Sequence, residues 1–149
     1  MLKANFITAQ EAAEKIQDGS TLCTIGMTMV SASESILKAI EKRFETVGHP
    51  ADITLVHSCG QSDRKDGIQH LAHEGLVKRI VGSHWGLQPR WMEMIANSQV
   101  EAYCLPQGQI AQLYRSMACG LPGKMSKVGL GTFIDPRVEG GKMNDRTKP

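Results

Sequence analysis

The chain has 149 residues, a length typical of one domain that can bury a sizeable core. Hydrophobic residues make up 41% and charged residues 21% of the sequence, which is ordinary globular composition and excludes a disordered or fibrous chain. The formal net charge is +2, with lysines and arginines scattered along the chain, and this argues against a nucleic-acid or anionic-membrane partner.

The sequence features that report on location indicate a cytoplasmic protein. No run of about 18 apolar residues is present, so no transmembrane helix is expected. The N-terminal stretch MLKANFITAQEAAEK has no apolar core of the secretory type and carries acidic residues early. None of the four cysteines at 23, 59, 104 and 119 forms C-x-x-C, and we expect all four to be reduced thiols.

Capping residues and helical spacing predict short helices along the chain. A capping box at 8–11 predicts a helix that ends near residue 17, and a second at 31–34 predicts one that ends near residue 45. A short helix is expected around 69–74. Pro89 fits the first turn of another, and apolar spacing predicts a last helix over about 108–118.

Between these helices lie five apolar runs that predict strands. They cover residues 21–25, 53–58, 77–85, 100–106 and 127–133. Alternation of strands and helices predicts an α/β fold, with an open, mostly parallel sheet and helices on both faces. Functional loops in such sheets lie at the carboxyl ends of the strands, which here are loops 26–33, 58–67, 106–108 and 134–141.

The glycine-rich segment GLGTFIDPRVEGGKMND, residues 129–145, fits neither common phosphate-binding motif. The dinucleotide fingerprint fails because Ile134 stands where its third glycine is needed. The P-loop pattern fails because Met143 replaces its Ser or Thr. Sequence motifs therefore give this segment no phosphate-binding function.

Several histidines are weighed as site residues. His70 and His73 in HLAHEG lie three apart, whereas zinc hydrolases place histidines four apart, so we expect an exposed polar helix face and no metal site. His57 and Cys59 leave a nucleophile pair conceivable at a strand end. His84, with the adjacent Trp85, either lines a pocket or packs against a helix.

Gln107 in LPQG is expected at the carboxyl edge of the sheet, beside the N-terminus of a helix. Its amide could donate to an oxyanion and so stabilise an acyl-transfer transition state. The alternative is a capping or solvent-exposed glutamine.

Three stretches in sequence order, AHEGLVKRIVGSHWG, PQG and GLGTFIDPRVEGGKMND, closely resemble the N-terminal part of family I coenzyme A transferases. The single-chain short-chain acyl-CoA:acetate, propionate or 3-ketoacid type is the most similar. The likeness runs from about Thr8 to Lys148, and it implies an α/β fold in which two related halves are fused or separate. Residues 1–149 are therefore expected to be a partial first half.

The resemblance also implies a reaction and its residues. CoA would move from a short-chain acyl-CoA to a carboxylic acid by a ping-pong route through a glutamyl-CoA thioester. Coenzyme A would be a substrate, with no permanently bound cofactor and no metal. Gln107 would be the oxyanion donor, and Gly26, Met27, Thr28 and Gly108 would bind substrate. The expected partners are the C-terminal half or a complementary subunit, in a homo-oligomer.

The loop after the first strand departs from the family pattern at three positions. Met27 stands where phenylalanine is usual, Met29 where glycine is common, and Ser33 where the family has proline. Larger side chains in this loop would alter the acyl pocket, so the acyl preference of the family does not transfer.

The catalytic glutamate of the family lies in its C-terminal half. Glu34, Glu74 and Glu139 lie in other motifs. We therefore expect either a fragment of a longer protein or a truncated product, inactive alone and prone to self-association because an incomplete sheet exposes edges. The alternatives are an acyl-CoA hydrolase of the same fold and a non-catalytic assembly subunit.

Overall fold

A computed structural model describes residues 4–147, which form a parallel four-stranded sheet with helices. The strands follow one another across the sheet as β1 (Thr21–Thr24), β2 (Ile53–His57), β3 (Val77–Gly82) and β4 (Glu101–Cys104). The helices are α1 (Ala9–Glu14), α2 (Glu34–Val47), α3 (Pro89–Ala96) and α4 (Gln107–Ala118), with 3₁₀ helices at Gly67–Leu71 and Asp145–Thr147. The α/β class and four of the five predicted strands are confirmed.

The main core lies on the face of the sheet that the crossover helices cover. Right-handed crossovers between strands in sequential order bring those helices to one face. Leu55, Ile80 and Ala102 are register partners on neighbouring strands and form a buried row. That row belongs to one hydrophobic cluster with Leu37 of α2 and Trp91 of α3.

Helix α4 covers part of the opposite face. Val56 alternates with Leu55 along β2, and it is buried outside the main cluster. The Tyr114 hydroxyl of α4 lies 3.2 Å from the carbonyl oxygens of both Thr24 and Val56, and Ile110 of the same helix is fully buried. Helices therefore lie on both faces, as predicted.

The N-termini of the first two helices differ in how they are capped. The Glu11 N–H donates to the Thr8 hydroxyl at 3.2 Å and the Glu11 carboxylate accepts from the Thr8 N–H at 2.7 Å, so the first capping box is confirmed. The box predicted at Ser31 is wrong. Ser31 has a φ of 62° and belongs to a turn, and α2 begins after Ser33 without a side-chain cap.

The fifth predicted strand, residues 127–133, is wrong because the segment forms successive turns. Gly129 and Gly131 have φ angles of 93° and 78°, in the left-handed region that an extended strand does not use. The buried Asp135 carboxylate holds the turns by accepting from the Gly131 N–H at 2.8 Å and from Arg137 Nη2 at 2.6 Å. Apolar residues predicted to enter the sheet thus remain in a loop.

After these turns the chain returns to the sheet and pairs antiparallel with β4. The Cys104 N–H donates to the Gly141 carbonyl at 2.7 Å, and the Met143 N–H donates to the Ala102 carbonyl at 3.0 Å. Gly141 has a φ of 73°, and a Cβ there would overlap the Cys104 carbonyl oxygen, so the crossing requires glycine. Residues 141–143 therefore cover part of the β4 edge.

The surface keeps apolar side chains exposed in two segments of the described chain. Ile25, Met27 and Val30, which follow β1, are 66%, 61% and 66% exposed. Leu121, Met125 and Val128, which follow α4, are exposed as well. Among residues 4–147, no helix has both the length and the apolar character needed to cross a membrane.

The four cysteines are free thiols, as predicted. Cys59 is buried, and Cys104 is half-buried. Burial raises the pKa of the Cys104 thiol, so it is not an activated thiolate.

Candidate functional site

Loops that follow the strands meet at the carboxyl edge of the sheet. The Thr28 N–H in loop 26–33 donates to the Gly60 carbonyl at 3.1 Å. The Ser83 hydroxyl, after β3, donates to the Ser58 carbonyl, after β2, at 2.6 Å. The loops predicted to be functional after β1 and β2 therefore lie side by side.

Loop 26–33 forms a tight turn that carries three of the predicted substrate-binding residues. Met27 and Val30 exchange backbone hydrogen bonds of 3.1 and 2.9 Å. Gly26 has a φ of 151°, and a Cβ there would lie 2.8 Å from the Val30 carbonyl oxygen, so a larger residue would disrupt the turn. Thr28, with a φ of 51°, donates its hydroxyl to the Met27 carbonyl at 2.6 Å.

Gln107 is the first residue of α4, one position earlier than the predicted start, and Pro106 is the N-cap. Gln107 and Gly108 are exposed. The N-cap Pro106 makes no side-chain hydrogen bond, and the exposed Gln107 amide follows the end of β4.

Four buried polar side chains, here called the strand-end cluster, lie behind the loops that follow β2 and β3. They are His57, Gln61, Trp85 and Gln88, with exposed fractions of 0%, 1%, 6% and 0%. Within residues 4–147 no hydrogen-bond partner exists for His57 Nε2, Gln61 Nε2, Trp85 Nε1 or either amide atom of Gln88. Unpaired buried polar groups are destabilising, so these four side chains make the strand ends a costly part of the fold.

His57 supplies an acceptor to this cluster. Its Nδ1 lies 2.9 Å from the Cys59 carbonyl oxygen, so Nδ1 carries the proton and Nε2 is left as an acceptor. Burial lowers the pKa of His57 to about 4, and the ring is neutral at pH 7. Because the ring binds the Cys59 backbone, the nucleophile pair weighed for His57 and Cys59 is not formed.

Two glycines make room for the cluster. A Cβ at Gly82 would overlap the His57 ring. A Cβ at Gly60 would overlap the Gln88 amide nitrogen and lie 3.1 Å from His84 Nε2. Sequence reasoning missed Gln61 and Gln88, because a glutamine after a strand belongs to no motif and its burial depends on the neighbouring loop.

A pocket of about 500 Å³ opens beside the strand-end cluster. Its walls include His84 and Trp85 after β3, Met92 and Ile95 of α3, Cys104 of β4, and Met143 of the returning chain. His84 and Trp85 therefore line a pocket, and Trp85 also belongs to the main hydrophobic cluster with residues of α3, so both interpretations hold for Trp85. A second pocket, of about 310 Å³, lies between α4 and the turns after it, with Leu105 and Pro106 in its wall.

A group of ionisable side chains, here called the α2 network, joins α2 to the first 3₁₀ helix. His70 Nε2 lies 2.8 Å from Glu34 Oε1, and His70 Nδ1 makes a short hydrogen bond to Glu41. His73 Nε2 lies 2.9 Å from Glu41 Oε1, and Glu34 also accepts from the Gly67 N–H at 2.9 Å. The prediction of an exposed polar face is wrong for His70, whose side chain is only 12% exposed.

The α2 network stabilises a charged His70. Burial alone would lower the pKa of His70, but hydrogen bonds to Glu34 and Glu41 outweigh burial and raise it. Burial would likewise raise the pKa of Glu34, but hydrogen bonds from Lys38 and His70 lower it.

Carboxylate and imidazole groups of this network come close enough to be considered as metal ligands. Glu34, Asp66 and His70 form one such group, and Glu41, Glu45 and His73 form another. Lys38 Nζ, however, lies 3.0 Å from Glu34 and 3.4 Å from Asp66. Ion pairing therefore accounts for the first group without a metal.

Comparisons with known proteins agree with this fold. The model of the coenzyme A transferase family matches residues 6–148. A caffeate CoA-transferase of Acetobacterium woodii is 41% identical over 145 residues, which are 97% of this chain and 28% of the relative. One subunit of a probable succinyl-CoA:3-ketoacid coenzyme A transferase of Bacillus subtilis is 27% identical over 94% of this chain and 56% of its own length.

A solved structure is also similar. The acyl-CoA transferase YdiF of Escherichia coli O157:H7, in a thioester complex with CoA, has a TM-score of 0.89 and 36% sequence identity. The match covers 96% of this chain and 28% of that one. This chain therefore spans less than a third of the length of the caffeate transferase and of YdiF.

Proposed function

The chain belongs to the coenzyme A transferase family, and on that premise we propose that it is the N-terminal part of an enzyme that transfers CoA from a short-chain acyl-CoA to a carboxylic acid. Residues 1–149 would be part of the first of two related halves. The activity is a property of the whole protein, because this chain spans about 28% of the caffeate transferase that it resembles.

The observation that carries this proposal is the position of Gln107. Its exposed amide follows β4 at the carboxyl edge, in a chain whose family transfers CoA. When a carboxylate attacks the thioester carbonyl carbon, negative charge develops on the carbonyl oxygen. An amide N–H aimed at that oxygen stabilises the charge more than it stabilises the ground state, and so lowers the barrier.

The proposed route uses a glutamate that lies outside this chain. Its carboxylate attacks the acyl-CoA, the carbon–sulfur bond breaks, and an acyl-glutamyl anhydride forms while the CoA thiolate leaves. The thiolate then attacks the glutamyl carbonyl, which releases the first acid and leaves a glutamyl-CoA thioester. The acceptor acid reverses these steps and leaves with CoA. Gln107 donates to the oxyanion, while Gly26, Met27, Thr28 and Gly108 contact the substrate.

The proposed partner of this chain is the remainder of the enzyme, either as a C-terminal half or as a second subunit. The Bacillus subtilis relative is named as one subunit of its enzyme, which favours such a division within the family. CoA acts as a substrate and no resident cofactor takes part. We place the protein in the cytoplasm as a homo-oligomer.

The proposal is tested on the full-length protein that contains this chain. Purified enzyme is incubated with a short-chain acyl-CoA, with and without an acceptor acid, and the products are separated by chromatography. We expect a new acyl-CoA that requires the acceptor. Free CoA alone would instead indicate a hydrolase, and no turnover would indicate an assembly subunit.

The Gln107→Ala variant tests the residue that carries the proposal. We expect the transfer rate to fall by roughly 10²–10³ if the amide stabilises the oxyanion. Gln112→Ala, an exposed glutamine on the same helix, is the control and should leave the rate unchanged. Equal rates for both variants would remove Gln107 from the mechanism.

A further inference from the structure

We propose that Glu34 is a positioning residue for CoA transfer, because its carboxylate ties loop 26–33 to loop 58–67 and so holds the substrate-binding residues in place. This inference rests on the proposed function. It adds a residue that acts through the substrate loop and does not itself contact the substrate.

The two loops differ in how firmly the core holds them. Within loop 26–33 no residue is buried, and Met27 and Val30 are exposed apolar side chains. In the neighbouring loop, residues 59–62 and Gly67 are buried. A loop with few buried contacts is easily displaced, so the position of loop 26–33 depends on a small number of hydrogen bonds.

Two hydrogen bonds join loop 26–33 to the neighbouring loop. The Thr28 N–H donates to the Gly60 carbonyl at 3.1 Å. Glu34 is the first residue of α2 and directly follows the loop, and its Oε2 accepts from the Gly67 N–H at 2.9 Å. The loop is therefore attached both near its tip and at its end.

Gly67 is a fixed point for the second attachment. It has a φ of 77°, and a Cβ there would overlap the Gln61 carbonyl oxygen. The next N–H, that of Ile68, donates to the same carbonyl at 2.9 Å. Loop 58–67 is thus closed on itself, and the Gly67 N–H is left to donate to Glu34.

The α2 network orients the Glu34 carboxylate. Its Oε1 lies 2.8 Å from His70 Nε2 and 3.0 Å from Lys38 Nζ. His70 in turn is held from its other ring nitrogen by Glu41. Hydrogen bonds between charged groups are stronger than neutral ones, and both Glu34 oxygens are occupied by such partners or by the Gly67 N–H. Glu34 is therefore suited to hold a loop and not to act as a nucleophile.

The expected consequence for the reaction is weaker substrate binding when the tie is lost. Loop 26–33 carries Gly26, Met27 and Thr28, which the proposed function places at the substrate. A displaced loop weakens contacts that are made in the ground state and in the transition state alike. Such a loss raises KM and leaves kcat nearly unchanged.

The first test is Glu34→Ala in the full-length protein, with acetyl-CoA as donor and propionate as acceptor. We expect KM for acetyl-CoA to rise about tenfold, as for one lost hydrogen bond to a charged group, with kcat within about twofold of the wild type. A variant that only destabilises the fold reduces the amount of active enzyme, and so lowers the apparent kcat without changing KM. An unchanged KM, or a fall in kcat alone, overturns the inference.

The control is Glu11→Ala. The Glu11 carboxylate also accepts from a backbone N–H, that of Thr8 at 2.7 Å, but this bond lies within one helix end. Its removal should leave KM for acetyl-CoA unchanged. If Glu11→Ala raises KM as much as Glu34→Ala does, the tie between the loops is not the cause and the inference is overturned.

Conservative variants separate the hydrogen bond from the side chain as a whole. Glu34→Gln keeps an oxygen that can accept from the Gly67 N–H, and we expect its KM to stay within about threefold of the wild type. A KM as high as that of Glu34→Ala would contradict the proposed tie. If Glu34→Ala does not fold, Glu34→Asp replaces it, because it keeps the charge and shortens the reach by one methylene group. The same rise in KM is then expected, and an unchanged KM overturns the inference.

Hydrogen exchange tests the tie without any assay of activity. Amide exchange of the full-length protein, without substrate, is followed by mass spectrometry. We expect peptides that cover residues 26–33 to exchange at least about fivefold faster in Glu34→Ala than in the wild type, with no change in β2 and β3. Faster exchange in a protein that transfers no CoA supports the tie and contradicts only the proposed function. Unchanged exchange in a protein that transfers CoA overturns the inference and leaves the proposed function intact.

Discussion

The α2 network and the strand-end cluster both hold histidines away from solvent, but the two regions differ in how they satisfy them. His70 of the network lies between two carboxylates, and both of its ring nitrogens have partners. His57 of the cluster binds one carbonyl oxygen, and its second nitrogen has no partner within residues 4–147. The pKa of His70 is raised, whereas that of His57 is lowered to about 4.

This difference shows that neighbours, more than residue type, assign the function of a histidine. A ring between two carboxylates is charged and joins two structural elements, so its hydrogen-bonding capacity is used within the protein. A ring buried among uncharged groups stays neutral and keeps an acceptor free. The first arrangement stabilises the fold, and the second leaves a buried hydrogen-bonding atom without a partner within residues 4–147.

Filling the space in the strand-end cluster is expected to cause the largest loss in the free energy of unfolding. Gly60→Ala places a methyl group against the Gln88 amide, and overpacking of a buried site typically costs about 1–3 kcal/mol. The free energy of unfolding, measured in urea, reports this loss. Gly86→Ala is the matched control, because no atom lies within 4 Å of its Cβ position. Equal stability of the two variants would mean that the cluster is loosely packed.

Removing His70, the central group of the α2 network, is expected to cause the next largest loss in the free energy of unfolding. His70→Gln loses hydrogen bonds to Glu34 and Glu41, and we expect a loss of about 1–2 kcal/mol in unfolding free energy. His49→Gln removes a more exposed contact with Asp18 and should cost less, because solvent screens that contact. A loss from His49→Gln as large as that from His70→Gln would contradict the importance of burial.

The effect of His70→Gln should depend on pH with a defined sign. Because the folded-state pKa of His70 is raised above 6.5, its stabilisation is fully present below pH 6.5 and is lost as the pH rises through the raised value. Because the pKa of Glu34 is lowered below 4.5, the Glu34 part is present above pH 4.5 and is lost as the pH falls through the lowered value. Urea unfolding of both proteins from pH 4 to 9 should therefore show the largest difference between about pH 4.5 and 6.5. A difference that is constant over the whole series from pH 4 to 9 would contradict the charged pair.

The smallest of the predicted effects concerns His57, whose ring is not expected to titrate near pH 6.5. Its ring should remain neutral, with the proton on Nδ1, until the pH falls to about 4, and ¹⁵N chemical shifts would record this. Since its folded-state pKa is lower than 6.5, His57 reduces stability as the pH falls from 6.5 towards 4. A ring that titrates near pH 6.5 would show that solvent reaches the cluster.

The sequence predicted local features of the fold better than features that depend on distant neighbours. Apolar runs and the Thr8 capping box correctly indicated four strands and the first helix, because their signals lie within a few residues. The run 127–133 misled, because the positive φ angles of Gly129 and Gly131 outweigh its apolar content. Ser31 misled in the same way, since a capping pattern does not reveal a backbone turn.

The candidate site was predictable only where position in an α/β sheet was enough to indicate it. Gln107 follows a strand, and the carboxyl-edge rule selects it. Trp85 was weighed only because it ends a predicted strand. The burial of Gln88 could not be predicted, because it depends on Gly60 in a loop 28 residues earlier. The functions of Gln107, Gly26, Met27, Thr28 and Gly108 remain predictions.

Because residues 141–143 run along β4, the two edges of the sheet differ in how readily they can pair with a further strand. The β4 edge is partly occupied by hydrogen bonds from Cys104 to Gly141 and from Met143 to Ala102. The outer side of β1 has no neighbouring strand among residues 4–147. If two copies paired through the outer edges of β1, neither copy would keep a free β1 edge. Association by this route would therefore end at a symmetric dimer instead of a fibre.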